Sequence, residues 1–359
     1  MGERWNCDYL IRNDILDPWS TTSFVVRKAR NSKLCCENMD EVVSKFVNEV
    51  NRGWLEEDFG IPTALPLHPY NEVKLSLEGS LDRWCFVCSM SFSFWTDYVP
   101  GNVPYRVKDP FGRFWVAGSA LMVRFNDLIR CGIALSAQSL KEMPFSVFAF
   151  LFADLRMATP PMMEERWECI KEVASILDKK FDGKFYNCVL KANGDPMVLL
   201  SLVLENFPCY RDVAEYSGHK ISFLMKAQML IVGTSRILRE FCDCAALGSC
   251  EVFSLSTTYR DIQIMRFYGF LKSSENVESR LTNEELFRFG EPDEVEMRAV
   301  ANRCLQVLTL RANEMLKITG KGVKITFVDM DYLIHRDRLE NSALQFWKSS
   351  FPRVRCLFY

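Results

Sequence analysis

Apolar residues spaced three and four positions apart constrain the fold of this chain more than any other feature. After Asp293 they recur on one face of a predicted helix, at Met297, Val300, Ala301, Cys304, Leu305 and Leu308. A second run follows Pro160-Pro161, with Met163, Trp167, Ile170, Ala174 and Leu177 on a common face. This spacing is the period of a helix that packs one face against a core. The pattern predicts a mainly α fold.

Further helices are predicted over 40–50, 116–130 and 222–242. Gly132 is the expected C-terminal cap of the second, because glycine readily adopts the left-handed conformation that ends a helix. Thr282-Asn283-Glu284-Glu285 has the pattern of a capping box, and Gly290 is a suitable stop. A short helix is therefore predicted between them.

Signals for strands are few. Residues 105–107 and 113–115 flank a turn at 109–112, and 323–329 alternates loosely, so it is a third candidate strand. The longest apolar run, 145–153, is interpreted as core, because a membrane helix needs roughly 20 residues. A small β component and no membrane association are expected.

The composition indicates a substantial hydrophobic core. Hydrophobic residues make up 48% of the 359 residues and aromatic residues 13%, with no internal repeat and no low-complexity linker. We predict one unit over 1–359, with the first 15 residues or about that number peripheral. Two lobes around a cleft are the alternative arrangement.

The charge balance bears on the partner. There are 44 basic and 46 acidic residues, a net charge of -2, which gives no broad cationic surface for DNA or RNA. A small ligand is favoured over a nucleic-acid polymer. The first residues, MGERWNCDYL, lack a hydrophobic signal region, so a cytoplasmic protein is expected.

Fourteen cysteines without a secretion signal indicate buried thiols rather than disulfides. Cys85 and Cys88 form a Cys-x-x-Cys, but no second pair stands at zinc-site spacing. Cys242, Cys244 and Cys250 have no nearby histidine. No metal and no cofactor are predicted.

Five segments in a fixed order carry a family resemblance. They are WCFVCSMSFSFWTD (84–97), FPCYRDV (207–213), STTYR (256–260) with Gln263 and Gly269 after it, Asp331-Tyr332, and PRVRCLFY (352–359). From Trp19 onward the chain resembles the queuosine salvage protein family. The resemblance implies a compact helical fold similar to DNA glycosylases. It also implies hydrolysis of queuosine 5'-phosphate to queuine and ribose 5-phosphate.

The resemblance places the catalytic aspartate of the family at Thr258 and a phenylalanine at Ser256. Cleavage of an N-glycosidic bond develops positive charge on the sugar, which a carboxylate stabilises. A threonine hydroxyl cannot carry that negative charge at ordinary pH. Asp261, three residues on, is the candidate substitute. The competing interpretation is that Asp261 is only a first-turn carboxylate favoured by the helix dipole.

The resemblance also implies residues that bind the base. His68 matches a ligand-binding histidine of the family, and Asp331 and Tyr332 match an aspartate and a tyrosine that hold the base. A carboxylate suits this role, because it accepts paired hydrogen bonds from a guanine-like edge. A second aspartate of the family falls on Arg336, with Asp337 next to it.

Cations and aromatic residues complete the candidates. Those for the substrate phosphate are Arg260, Lys226, Arg353 and Arg355, with Arg260 preferred because it adjoins the catalytic segment. Phe92, Phe94 and Trp95 are suited either to a stacking wall for the base or, more commonly for such a run, to the core.

Two functions from different classes follow. The leading hypothesis is a cytoplasmic N-glycosylase that releases queuine from queuosine 5'-phosphate for reuse in tRNA modification. The alternative is a catalytically impaired relative that binds queuine-type nucleosides or a protein partner, which Ser256, Thr258 and Arg336 favour. A DNA glycosylase is disfavoured, because the chain lacks the basic charge of a duplex binder.

Overall fold

The computed structural model describes residues 7–52, 73–96, 104–241, 247–254, 257–319, 322–341 and 349–359. The helices in this part of the chain are α1 (Asp8–Arg12), α2 (Pro18–Lys28), α3 (Met39–Asn51), α4 (Leu77–Ser89), α5 (Ala117–Arg130), α6 (Ala137–Glu142), α7 (Phe145–Phe152), α8 (Met163–Lys180), α9 (Phe185–Lys191), α10 (Pro196–Asn206), α11 (Met225–Glu240), α12 (Tyr259–Phe267), α13 (Glu275–Thr282), α14 (Pro292–Ile318) and α15 (Phe327–Asn341). The mainly α prediction is confirmed.

Within the described residues, eight short strands pair two by two. They are β1 (Ser32–Leu34), β2 (Val107–Lys108), β3 (Phe114–Trp115), β4 (Val213–Tyr216), β5 (His219–Ser222), β6 (Leu271–Ser273), β7 (Leu286–Phe287) and β8 (Arg353–Val354). The pairs β1–β6, β2–β3 and β4–β5 are antiparallel, and β7–β8 is parallel. The pairs β1–β6 and β7–β8 join distant parts of a helical chain, whereas β2–β3 and β4–β5 are local hairpins.

The long helix α14 lies at the centre of the half of the fold that holds the candidate site. It packs against α2, α3, α12 and α15. Its predicted apolar face is buried, as Met297, Val300 and Leu305 show. This burial positions α12 and α15, which carry Asp261 and Asp331.

A second group of helices packs around α4, which contacts α5, α8, α9 and α11. Trp84 of α4 is fully buried and donates from Nε1 to the Leu230 carbonyl at 3.1 Å. A Cβ on Gly233 would lie 2.3 Å from the Trp84 ring. Glycine at this position lets α11 approach α4 closely. One continuous core cluster includes residues from Leu10 to Tyr359, and on this ground we propose a single domain.

Several predicted elements are confirmed. The helix at 40–50 is Met39–Asn51, that at 116–130 is Ala117–Arg130, and that after Pro160-Pro161 is Met163–Lys180. Gly132 follows the second helix with φ of 76°. The predicted hairpin around 109–112 pairs Val107 with Trp115.

The prediction of a short helix between Thr282 and Gly290 is wrong. Thr282 ends α13, and Leu286–Phe287 pairs with Arg353–Val354. Backbone hydrogen bonds to a strand far along the chain outweighed the local capping signal. A short window of sequence does not contain that distant strand.

The candidate strand at 323–329 is also wrong, because α15 begins at Phe327. The Thr326 amide and hydroxyl both donate to Asp329 Oδ2 at 2.7 Å, and the Asp329 amide donates to Thr326 Oγ1 at 3.2 Å. This reciprocal pattern is a capping box, so polar side chains fix the helix start. The helix predicted over 222–242 begins at Met225, because Ser222 belongs to β5.

The run 145–153 is only half core. Phe148 and Phe152 of α7 are fully buried, whereas Phe150 is 64% exposed. An apolar helix that packs on one side leaves its other face in solvent. Among the described helices, none is both long and apolar enough to cross a membrane.

Candidate active site

The first turn of α12 is organised by Thr258. Its extended backbone (φ -86°, ψ 166°) and its side chain make it the N-cap, and Oγ1 accepts from the amides of Arg260 at 3.2 Å and Asp261 at 3.3 Å. The Thr258 amide donates to Asp261 Oδ2 at 2.6 Å. Threonine with an acid three residues later is a capping box. The local sequence thus fixes where the Asp261 carboxylate lies.

Asp261 is 3% exposed, and hydrogen bonds occupy both its oxygens. Oδ2 accepts from the Thr258 amide and, at 2.7 Å, from the Thr258 hydroxyl. Oδ1 lies 2.8 Å from Nε2 of His335. Asp261 therefore lies in the first turn of α12, where the helix dipole favours a carboxylate, and it also contacts a second helix.

That second helix is α15, which presents Asp331 and His335 one turn apart. Asp331 is 2% exposed and His335 9%. His335 Nε2 lies 3.8 Å from Asp331 Oδ1. Ligand-type atoms of Asp261, Asp331 and His335 all lie within 4.8 Å of one another. We call these three residues the carboxylate–imidazole cluster.

The cluster can serve two kinds of chemistry. Two buried carboxylates stabilise a developing positive charge, or they bind a hydrogen-bond donor edge of a ligand. Two carboxylates and a histidine are also of a type that binds cations. Here, however, His335 Nε2 makes a hydrogen bond to a carboxylate, and the same nitrogen cannot ligate an ion while it donates a proton.

Asp337 lies on α15 close to the cluster. It accepts hydrogen bonds from Lys45 Nζ and from the Tyr268 hydroxyl, and it is buried. Burial, followed by the hydrogen bond to Asp337, raises the pKa of Tyr268. Arg336 is half-buried beside it. The acid next to Arg336 thus already has two partners within the protein.

Arg260 lies in the first turn of α12 and is half-buried. Its guanidinium donates to Gln263 Oε1 at 2.5 Å and stands 5.4 Å from the centre of the Phe351 ring. Gln263 in turn donates to the Ser349 carbonyl. Arg260 is therefore placed where α12 meets the segment that starts at residue 349.

The other three cations suggested by the sequence contact the protein itself. Lys226 is fully buried and donates to the Ser89 carbonyl at 2.9 Å. Arg353 pairs with Glu284 at 2.5 Å. The Arg355 guanidinium carbon lies 3.5 Å from the centre of the Trp95 ring. All three lie against the aromatic segment or the last strand rather than at the cluster.

The aromatic segment belongs mainly to the core. Phe92 and Trp95 are buried and Phe94 is half-buried. The Arg166 guanidinium lies 4.4 Å from the Phe92 ring and 4.5 Å from the Phe94 ring. Trp95 donates to the Val354 carbonyl at 2.8 Å. These rings bind cations and backbone of the protein, in line with the core interpretation.

Two of the candidates from the sequence, His68 and Ser256, lie outside the described residues. The structure brings Asp331 next to Asp261, which precedes it by 70 residues and is hydrogen-bonded to Thr258. Tyr332, the residue after Asp331, is half-buried. The motifs considered above give no role to His335. The sequence feature that could have indicated His335 is its four-residue spacing from Asp331, which puts both side chains on one face of a helix.

Comparisons with known proteins agree with this order of motifs. Residues 73–359 match the family described as queuosine salvage protein. A Mus musculus protein named queuosine 5'-phosphate N-glycosylase/hydrolase is 30% identical, over 77% of this chain and 81% of its own length. A Nematostella vectensis protein of the same name is 27% identical, over 95% of this chain and 94% of its own.

Proposed function

The chain belongs to the queuosine salvage protein family, and from this premise we propose that it hydrolyses the N-glycosidic bond of queuosine 5'-phosphate and releases queuine for tRNA modification. The Mus musculus and Nematostella vectensis relatives carry that activity in their names. The reaction needs no metal or cofactor in this proposal. We place the protein in the cytoplasm.

The observation that carries the proposal is the position of Asp261. The family's catalytic aspartate falls on Thr258, yet a carboxylate remains at this helix start, hydrogen-bonded to Thr258 itself at 2.6 and 2.7 Å. Its burial strengthens its interaction with a positive charge, because water screens it poorly. We propose that Asp261 supplies the negative charge that stabilises the sugar cation.

The same proposal assigns the binding roles. Asp331, buried beside Asp261, and its half-buried neighbour Tyr332 hold the base. Arg260 binds the phosphate, because it lies in the first turn of α12, where the helix dipole and a guanidinium both favour an anion. His68 binds the ligand in this proposal, as the family resemblance implies, and Ser256 stands where the family has a phenylalanine.

Replacing Asp261 by asparagine tests the proposal. Asp261→Asn keeps the size of the side chain and one acceptor for the Thr258 amide, but it removes the charge. We expect queuine release from queuosine 5'-phosphate, followed by mass spectrometry, to fall by about a hundredfold or more. Stability should fall by only about 0.3 to 1 kcal/mol.

Asp329→Asn is the matched control. Asp329 makes the same capping box with Thr326 at the start of α15, at the same 2.7 Å. It should keep full turnover, because Asp329 lies outside the carboxylate–imidazole cluster. If Asp261→Asn releases queuine as fast as the parent, Asp261 is a helix cap only and the proposed mechanism is wrong.

The same assay distinguishes the alternative of an impaired relative. That alternative expects queuosine 5'-phosphate to raise the melting temperature of the parent protein without any release of queuine. Release that depends on Asp261 is the outcome that supports an enzyme.

A further inference from the structure

His335 joins two buried carboxylates that belong to different helices. Asp261 lies on α12 and Asp331 on α15, one turn before the histidine. Nε2 is 2.8 Å from Asp261 Oδ1 and 3.8 Å from Asp331 Oδ1. The imidazole is only 9% exposed. A buried imidazole at hydrogen-bond distance from the proposed catalytic carboxylate is placed to orient that carboxylate.

The hydrogen-bond pattern fixes which partner donates. Asp261 Oδ2 already accepts from the amide and the hydroxyl of Thr258. A carboxylate is an acceptor only, so the bond at Oδ1 requires a proton on His335 Nε2. Three donors then hold Asp261, two from its own helix start and one from α15.

The charges indicate the second part of the role. Two carboxylates within 4.8 Å of each other repel, and burial makes that repulsion larger than it is in water. The imidazole N–H lies beside both carboxylates and donates to one of them. Removing it takes that donor away from two buried carboxylates.

We propose that His335 is a positioning residue of this reaction. It orients the Asp261 carboxylate by donating from Nε2 to Oδ1, and it holds Asp331 and Asp261 in one site despite their like charge. The expected effect on kcat rests on the proposed function. The hydrogen bond from His335 to Asp261 rests on geometry alone.

The kinetic test uses two substitutions at this position. His335→Phe keeps a planar ring and removes the donor, whereas His335→Gln keeps an N–H donor on a side chain of similar reach. We expect the phenylalanine variant to lose about tenfold to a hundredfold in kcat with KM within about twofold, because a misplaced catalytic group slows the chemical step. The glutamine variant should recover most of the loss.

Ile334→Val is the control for the packing of α15. Ile334 is buried next to His335 and is outside the cluster. This control should lose some thermal stability and keep the parent kcat. A His335→Phe enzyme with kcat within threefold of the parent, or a glutamine variant as slow as the phenylalanine variant, would overturn the proposal.

A measurement without substrate separates this inference from the proposed function. The chain has three histidines, so the imidazole resonances of labelled protein can be assigned by substitution. We expect one slowly exchanging, hydrogen-bonded imidazole N–H that disappears in His335→Gln and in Asp261→Ala. Persistence of that resonance in Asp261→Ala contradicts the hydrogen bond. If the parent protein releases no queuine but the resonance behaves as expected, the proposed function fails and the positioning contact stands.

Discussion

At the scale of single residues, Thr258 and Asp261 act together at the start of α12. Thr258, where the family resemblance places an acid, acts as a helix cap, and its hydroxyl donates to Asp261 at 2.7 Å. Aspartate in the first turn is favoured by the helix dipole. One short segment therefore satisfies a structural requirement and holds a carboxylate at the same time.

The hydroxyl of Thr258 is testable by two substitutions. Thr258→Val removes both the cap and the donor to Asp261, and we expect a loss of about 1 kcal/mol of stability in urea unfolding. Queuine release should slow as well, because Oδ2 loses one of its two hydrogen bonds. Thr258→Ser keeps the hydroxyl and should resemble the parent in both measurements. A serine variant as impaired as the valine variant would contradict the role given to the hydroxyl.

At the scale of elements, polar side chains decide how helices begin and meet. Asp82 of α4 accepts from the amide of Phe185, the first residue of α9, at 2.7 Å. Burial raises the pKa of Asp82 to about 6, against the lowering effect of that amide. The contact joins α4 to α9, but it holds a carboxyl group in a place that disfavours its charge.

This raised pKa predicts how stability varies with pH. Below the unfolded value of 3.8, Asp82 is protonated in both states. Between pH 3.8 and about pH 6, Asp82 has lost its proton in the unfolded chain and retains it in the folded chain. Stability therefore falls as pH rises through this range and levels off above about pH 6.

Asp82→Asn should remove that loss, because the amide oxygen still accepts from Phe185 and carries no charge. We expect the variant to gain up to about 3 kcal/mol near neutral pH and almost nothing near pH 4. Urea unfolding at the two pH values measures the difference. A variant less stable than the parent at neutral pH would show that the charge of Asp82 is favourable.

At the scale of the whole molecule, one buried cation connects segments that are far apart in the chain. Arg298 of α14 donates to Asp212 at 2.6 and 3.1 Å and to the Thr257 carbonyl at 2.9 Å. It lies 4.0 Å from the Tyr359 ring. Burial opposes the charge of Arg298, but the Asp212 and Glu294 carboxylates outweigh it and raise the pKa of the guanidinium. The residue before Thr258 is thereby fixed to the central helix.

Loss of this cation should destabilise the whole fold. Arg298→Met leaves Asp212 buried and unpaired, and we expect a loss of about 3 to 5 kcal/mol in urea unfolding. The double variant Arg298→Met with Asp212→Asn should recover part of it. Arg303→Met is the control, a half-buried arginine of the same helix that stacks on Trp19, and its loss should be about 1 kcal/mol or less. A loss that small for Arg298→Met would contradict the central role of this ion pair.

The sequence by itself determined the mainly α class, the helices at Met39–Asn51, Ala117–Arg130, Met163–Lys180 and Pro292–Ile318, and the family. These follow from periodicity and from the order of motifs, which are properties of the chain that need no spatial partner. Similarity to DNA glycosylases stays a prediction from the family resemblance.

Only the tertiary structure decided which groups meet at the site. Asp261 and Asp331 are 70 residues apart in the chain, and His335 lies between them only because α12 and α15 pack together. In the same way, Leu286–Phe287 became a strand because Arg353–Val354 lies beside it. A contact between distant segments depends on how whole helices pack, and that packing is a property of the complete core rather than of any one window of sequence.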